Sequence, residues 1–237
     1  MSQGFGYPAG WKLRLAIEQA TAYVATKELR TLDISHVDKL LTLHKKNGRV
    51  FLPDGFDGLA VFPKLSTLAR LAVGNEDWPV YNRALAHTFA MLKVHRSNFV
   101  DFTEGRIGPD HERLTALTSD AFKELEKLPG DVIVLPVQTG MLHSGESVQD
   151  ACASFDGQEF GLDSVSCGNI LLIHPERLTK YTDLAMDCPG SERSPEADGQ
   201  FFSVPSYSFY GKTIDFDASD VVDADPGFGS ASAFLLK

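Results

Sequence analysis

The densest group of reactive side chains lies between Gln138 and Ser147, within the sequence QTGMLHSGES. His143 has the chemistry of a general base or metal ligand, Glu146 that of its carboxylate partner, and Ser144 or Ser147 that of a nucleophile. The flanking residues do not form the G-x-S-x-G pattern of a nucleophile elbow, and a His-x-x-Glu spacing is common by chance. Two interpretations remain open: a catalytic loop, or a hydrogen-bonded loop in which Ser147 caps the next helix.

A second group of polar residues follows at His174, Glu176 and Arg177, around Pro175. A proline restricts the residue before it to extended geometry, so this segment is predicted to form a defined corner. As a functional element, the corner would present His174 for catalysis and the Arg177 guanidinium to an anion. As a structural element, it would hold an ion pair between Arg177 and Glu176 or another carboxylate.

Cys188 lies at a turn, within the sequence DCPG. With His143 or His174, its thiol would make a nucleophilic pair if the fold brought the side chains together. A free cysteine also packs as a small hydrophobic side chain, which is the interpretation favoured for Cys152 and Cys167. Their odd number and the lack of a C-x-x-C pair predict neither a disulfide framework nor a four-cysteine zinc site.

Aspartates are concentrated near the carboxyl end of the chain. The segment from Asp215 begins like an EF-hand calcium loop, but Asp220 occupies the position of the required glycine and Pro226 that of the bidentate glutamate. The sequence therefore predicts no metal and no cofactor, although a cation site of another kind between Asp215 and Asp225 remains open. The candidate binding residues are Arg177, Asp187, Asp215, Asp217, Asp220 and Asp223.

The two halves of the chain differ in charge. Residues 1–128 carry 17 Lys and Arg against 15 Asp and Glu, whereas residues 129–237 carry 5 against 17. The second half is expected to repel nucleic-acid phosphate and to attract cations or a basic protein surface, less strongly as salt rises. The alternative is that these acidic residues keep a β-rich surface soluble and protect its strand edges.

Helical periodicity dominates the first half, where apolar residues recur at spacings of three and four. Asp33 or Ser35 would cap the second helix, and Asp110 would cap the last, which restarts at Ser119. A short strand is predicted over 49–52, followed by a loop over 53–58. The helices are predicted over residues 11–29, 64–73, 81–95 and 110–128, and the second helix runs from its cap to a close at 47–48.

The pattern changes after residue 129, because 131–135 is a compact β-branched run typical of a buried strand. Ser147 is predicted to cap a helix ending near residue 154, and Asp163 one ending near residue 175. The alternative for the latter is a buried strand over 169–174. Alternating residues over 201–204, 206–210 and 212–216 predict an antiparallel meander with a hairpin turn at 210–212.

These patterns predict an α+β fold in which a helical N-terminal half packs on a mainly antiparallel, β-rich, acidic C-terminal half. An irregular arm over 1–10 would precede a single domain over 11–237, with a helical part over 11–128 and a β-rich part over 129–237. The chain begins without a secretory signal and contains no apolar stretch long enough to cross a bilayer. A cytoplasmic protein without membrane contact is expected, and the oligomeric state is left open.

Two functional hypotheses follow from the residues. The leading one is a noncatalytic cytoplasmic binding or regulatory protein that engages a basic protein partner through its acidic C-terminal half. The alternative is a hydrolase or transferase with a site at the loop around His143 and the corner at His174, so whether the chain is an enzyme remains open. The enzyme hypothesis requires these loops to converge with Cys188 in one pocket. A third possibility is a structural subunit of a symmetric oligomer.

Overall fold

The structure, a computed structural model, describes residues 4–236 of the chain. The α-helices within that range are α1 (Ala16–Ala25), α2 (Val37–Leu43), α3 (Leu65–Leu71), α4 (Val80–His95), α5 (Ala116–Leu125), α6 (Val148–Ser154) and α7 (Ser164–Ile173). The strands are β1 (Lys45–Lys46), β2 (Arg49–Val50), β3 (Gly58–Pro63), β4 (Phe99–Asp101), β5 (Glu112–Leu114), β6 (Val132–Gln138), β7 (Glu159–Gly161), β8 (Ala185–Asp187), β9 (Ser191–Arg193), β10 (Ser203–Tyr210), β11 (Thr213–Asp220), β12 (Phe228–Ser230) and β13 (Ser232–Phe234).

Helices α4 and α7 form where the sequence patterns place them. In α4, Leu85, Phe89 and Leu92 recur at helical spacing, and all three are buried. Helix α7 is capped by Asp163, whose side chain accepts hydrogen bonds from two backbone N–H groups of the first turn. Every residue of α7 is buried. The predicted helix capped by Asp163 is confirmed, with its end at Ile173 instead of near Pro175, and the alternative strand over 169–174 is wrong.

Seven strands form the central sheet. Strands β12, β8, β10, β11 and β4 lie side by side, while β9 pairs with β10 and β5 pairs with β9. The β10–β11 hairpin turns at Gly211 and Lys212, whose φ angles are 57° and 87°. Positive φ at both central residues matches the twist of the flanking strands. The predicted turn is therefore confirmed, but the three predicted strands of the meander are two, because β10 runs without interruption through Pro205.

The two faces of the central sheet have opposite character. Tyr207 of β10 and Phe216 of β11 are paired and buried on the face covered by helices. Tyr207 donates a hydrogen bond to the Ser164 carbonyl at 2.9 Å, and Phe216 packs against Phe89 with ring centroids 4.7 Å apart. Because successive residues of a strand project to opposite faces, Asp215 and the other odd-numbered residues of β11 lie on the face away from α4 and α7.

A second sheet, in the order β3-β6-β13-β7, contains strands from both halves of the chain. Strand β3 pairs with β6 along six residues, from Gly58 opposite Val137 to Pro63 opposite Val132. All seven residues of β6 are buried, as the β-branched run predicts. The sequence patterns did not indicate β3, which supplies an edge of this sheet from within the helical half.

Other boundaries also differ from the predictions. Helix α1 begins at Ala16, five residues after Trp11. Asp110 does not cap a helix, because the residues that follow it form β5, which pairs with β9. There Glu112 and Arg193 form a buried ion pair at 2.8 Å, and helix α5 begins only after its cap, Thr115. The α+β fold class is confirmed, with most strand pairs antiparallel.

The N-terminal arm is irregular but anchored. The Gly6 carbonyl accepts a hydrogen bond from the Leu184 N–H at 2.8 Å, and the Gly6 N–H donates to the Thr182 carbonyl at 3.2 Å. These bonds hold the arm beside the segment that leads into β8. Residues 1–3 of the predicted arm lie outside the described residues. Over 4–236, no helix combines the length and the apolar character needed to span a bilayer.

Candidate functional site

His143 lies in a short 3₁₀ turn after β6 and is buried between two carboxylates. Its Nδ1 is 3.3 Å from Glu146 Oε2, and its Nε2 is 3.3 Å from Glu159 Oε1. Burial lowers the pKa of the imidazole, but the two glutamates outweigh burial and raise that pKa above its ordinary value. Since each ring nitrogen faces a carboxylate, His143 has no free nitrogen in this structure to accept a proton from a substrate.

Ser147, the candidate nucleophile, is the N-cap of helix α6. Its hydroxyl donates to the Asp150 carboxylate at 2.8 Å and accepts from the Asp150 backbone N–H at 3.1 Å. These are the contacts of a capping serine. Within residues 4–236, no hydrogen bond joins Ser147 to His143. The loop therefore has the capping arrangement, and a serine–histidine pair is not assembled there.

The corner around Pro175 is folded into the protein. His174 is buried, with its Nδ1 3.3 Å from Glu176 Oε1, and burial lowers the pKa of its imidazole. Glu176 also accepts from Arg14 at 3.0 Å. The expected pair between Glu176 and Arg177 is not among the ion pairs of the described residues. His174 instead lies edge-on to Trp11, with ring centroids 6.1 Å apart.

Arg177 is completely buried and holds the arm in place. Its guanidinium donates to the backbone carbonyls of Thr139 at 2.8 Å and Leu184 at 2.7 Å. The rings of Tyr7 and Trp11 lie 4.6 and 5.3 Å from its central carbon. Carbonyls therefore take its N–H donors and aromatic rings cover it, so the guanidinium is not presented to an external anion.

Asp57 completes the network around the arm. Its Oδ2 accepts hydrogen bonds from the Tyr7 hydroxyl and the Thr139 N–H, both at 2.7 Å. Burial raises the pKa of this carboxyl above its ordinary value, while the hydrogen bonds from Tyr7 and Thr139 oppose the shift. The network fixes the arm from Tyr7 onward and so determines where the preceding Phe5 lies.

Cys188 is buried beside Cys167, and burial raises the pKa of its thiol well above the ordinary value. Its Sγ lies 4.0 Å from the Met186 carbonyl. In the part of the chain that the structure describes, no hydrogen bond connects Cys188 with His143 or His174. The three candidate catalytic groups thus have three separate sets of partners.

A cavity of about 280 Å³ lies on the face of the central sheet that points away from α4 and α7. We call it the acidic cavity, because none of its described lining residues is Lys or Arg and four are aspartates. These aspartates are Asp183, Asp215, Asp217 and Asp225. Aromatic residues form much of the remaining lining: Phe5, Phe102, Tyr181, Phe209, Tyr210 and Phe228.

Distant parts of the chain bring the aspartates of the acidic cavity together. Asp215 and Asp217 are alternate residues of β11, whereas Asp183 lies just before β8 and Asp225 just before β12. Of the candidate binding residues, the structure therefore places Asp215 and Asp217 in one cavity. Asp220 and Asp223, also predicted for binding, are exposed and do not line it, and Arg177 and Asp187 are likewise not among its lining residues.

Two carboxylate oxygens at the acidic cavity are buried and lack a hydrogen-bond donor. Over residues 4–236, neither Asp183 Oδ1 nor Asp215 Oδ1 has a hydrogen-bond donor within reach. The two residues are only 3% and 8% exposed. Buried polar atoms are normally hydrogen-bonded, so an unpaired oxygen in a cavity wall indicates a place for a donor from outside the chain.

Asp187 is buried beside the acidic cavity, on the same face of the sheet as Asp217, since both are paired with Ser206. Burial, and secondarily the charge of Asp225, raises the pKa of Asp187 to about 7.

Sequence reasoning missed Asp183 and the aromatic wall. Asp183 follows Tyr181 in a segment without periodicity, and Phe5 lies in the irregular arm, some 180 residues away in the chain. The one available signal was the alternation through Ile214, Asp215 and Phe216, which assigns the aspartates of β11 to one face.

Among the described residues, no group of three or more His, Cys, Asp or Glu side chains is arranged to hold a metal ion.

Comparison of the chain with protein-family models, with curated proteins and with solved structures finds no significant match.

Proposed function

We propose that the chain is a noncatalytic binding or regulatory protein that engages a basic protein partner through its acidic C-terminal half, with the acidic cavity at the centre of the contact. The observation that carries the proposal is the unpaired, buried Oδ1 of Asp215 in the cavity wall. Burying a carboxylate oxygen without a donor costs free energy, and a cationic group of the partner would supply that donor.

The surroundings of the cavity support the same partner chemistry. Three aromatic residues at the cavity are largely exposed: Phe102 at 53%, Tyr181 at 61% and Tyr210 at 66%. Exposed aromatic side chains are enriched at protein interfaces, where they cover the stems of basic residues. The negative charge of residues 129–237 would steer a basic surface towards this face.

We also propose a cytoplasmic location for this contact. Cys152, Cys167 and Cys188 are all free. Free thiols persist in reducing compartments, which supports this placement.

The proposal is tested by fluorescence anisotropy with a labelled peptide of alternating lysine and glycine. We expect binding that weakens at least about tenfold as NaCl rises from about 50 to about 500 mM, because salt screens exposed charges. Replacing Asp215→Asn together with Asp217→Asn should weaken binding at low salt by at least about tenfold.

The matched control is Asp220→Asn together with Asp223→Asn. This pair removes the same charge from the same half but lies outside the acidic cavity, so it should change the affinity by less than about threefold. Equal losses in the two double variants, or binding that does not respond to salt, would refute a contact centred on the cavity.

A further inference from the structure

Asp183 and Asp225 of the acidic cavity each use one carboxylate oxygen within the chain. Asp183 Oδ2 already accepts three hydrogen bonds, from N–H and Oγ1–H of Thr179 and from N–H of Lys180. This leaves Oδ1, from which the Lys180 ammonium is 4.0 Å away, beyond hydrogen-bonding distance. Asp225 Oδ1 accepts from the Gly227 N–H at 2.7 Å. Asp215 Oδ1 has no donor within residues 4–236.

Single oxygens from separate carboxylates suit one kind of cation. A primary ammonium carries three N–H donors that point in different directions, so it can bond to oxygens of more than one carboxylate. A guanidinium binds best through a planar fork to both oxygens of one carboxylate, which Asp183 cannot provide. A quaternary ammonium has no N–H and would leave both buried oxygens unpaired.

The aromatic wall suits the stem that carries such a group. Tyr181 lies between Phe5 and Tyr210, with ring centroids 5.6 and 6.1 Å away respectively. The three rings form a row along the cavity. Methylene groups pack against such rings, and the ring faces attract a cation.

We infer that the acidic cavity binds a primary alkylammonium group on an aliphatic stem, with Asp215 and Asp183 as its hydrogen-bond acceptors. The inference rests on the proposed function, because it names the chemical group that the basic partner contributes. A lysine side chain of a protein and a free aliphatic diamine share this chemistry.

The selectivity is tested by isothermal titration calorimetry of the full chain with four probes. These are Nα-acetyl-lysine methylamide, cadaverine, Nα-acetyl-arginine methylamide and the Nε-trimethyl derivative of the lysine compound. We expect the two primary amines to bind at least about tenfold more tightly than the arginine and trimethyl compounds. The trimethyl group has no N–H, and the guanidinium fork does not match single oxygens of separate carboxylates. The tighter of the two amines identifies the source, a peptide lysine or a free diamine.

Variants locate the bound group. Asp215→Asn should weaken binding of the better amine by at least about tenfold, whereas the matched exposed variant Asp223→Asn should change it by less than about twofold. Tyr181→Leu removes an exposed ring without touching the core, so the fold is retained, and it should weaken binding by about threefold or more.

The outcomes separate this inference from the proposed function. Arginine or trimethyl probes that bind as tightly as the amines would overturn the inference, as would equal effects of Asp215→Asn and Asp223→Asn. If the lysine–glycine peptide binds in an Asp215-dependent manner and no amine probe does, the inference fails and the proposed function stands. If cadaverine binds and the peptide does not, the proposed function fails and the inference stands.

Discussion

Asp187 provides a direct test of the electrostatics on the acidic face of the central sheet. Its pKa of about 7 in the folded protein compares with an ordinary value of 3.8. Between about pH 4 and pH 7 the folded protein therefore holds a proton that the unfolded chain has released. The free energy of unfolding should fall as pH rises through this window. The loss of stability should reach its full size above about pH 7.

The size of the effect follows from the shift. A difference of about three pH units corresponds to ~4 kcal/mol, at about 1.4 kcal/mol for each unit. The variant Asp187→Asn keeps the shape of the protonated carboxyl and cannot ionise. It should be about 1 kcal/mol more stable than the wild type near pH 4.5, where the unfolded chain has largely ionised, and at least about 2 kcal/mol more stable at pH 8.

Urea denaturation followed by circular dichroism, at intervals from pH 4.5 to pH 8, measures this difference. Other buried acids with raised pKa values, Glu112 and Asp163, contribute equally to both proteins and cancel. Asp223→Asn serves as the control, because it removes an exposed charge from the same half. If the stability difference between Asp187→Asn and the wild type stays constant within about 0.5 kcal/mol over this range, Asp187 does not hold the proton and the reasoning is wrong.

Three further predictions concern packing and capping. Arg193→Met breaks the buried ion pair between β5 and β9 and should lower the free energy of unfolding by about 3–5 kcal/mol in urea denaturation. Arg113→Ala, in the adjacent exposed pair, should lower it by at most about 1 kcal/mol. Similar losses in the two variants would contradict this prediction. A Cβ at Gly190 would overlap the backbone of β7, so Gly190→Ala should cost about 3 kcal/mol, whereas Gly157→Ala, in open space, should cost under about 1 kcal/mol by the same assay. Ser147→Ala should lower stability by about 1 kcal/mol through loss of the α6 cap, and an unchanged melting temperature would argue against capping.

The parts of the fold that the sequence predicted are those fixed by neighbouring residues. The caps at Ser147 and Asp163, the core face of α4 and the turn at 211–212 each depend on a few adjacent side chains. Strand β5 depends instead on β9, about 80 residues later, where Arg193 neutralises Glu112 in the interior. No local pattern reveals such a partner. The sequence therefore wrongly predicted a helix capped by Asp110 where β5 forms.

In the candidate site, too, the sequence predicted what depends on neighbouring residues and missed what depends on distant ones. Alternation in β11 predicted that Asp215 and Asp217 share a face, and the structure places both in the acidic cavity. Asp183 and Phe5 join them only because the arm pairs with the segment before β8, where Gly6 and Leu184 share a hydrogen bond. That contact depends on tertiary packing around Arg177, which no spacing in the sequence indicates.

The alternation of apolar and acidic residues in β11 contributes both to the core and to the acidic cavity. Ile214 and Phe216 turn to the helices and are buried in the core, while Asp215 between them is buried on the opposite face without a donor. The first placement stabilises the fold, and the second destabilises it, because an unpaired buried oxygen loses its water. Proteins retain such local conflicts chiefly where function requires them. Removing the charge at Asp215 should therefore weaken binding while leaving the fold at least as stable, a combination that simple misfolding cannot produce.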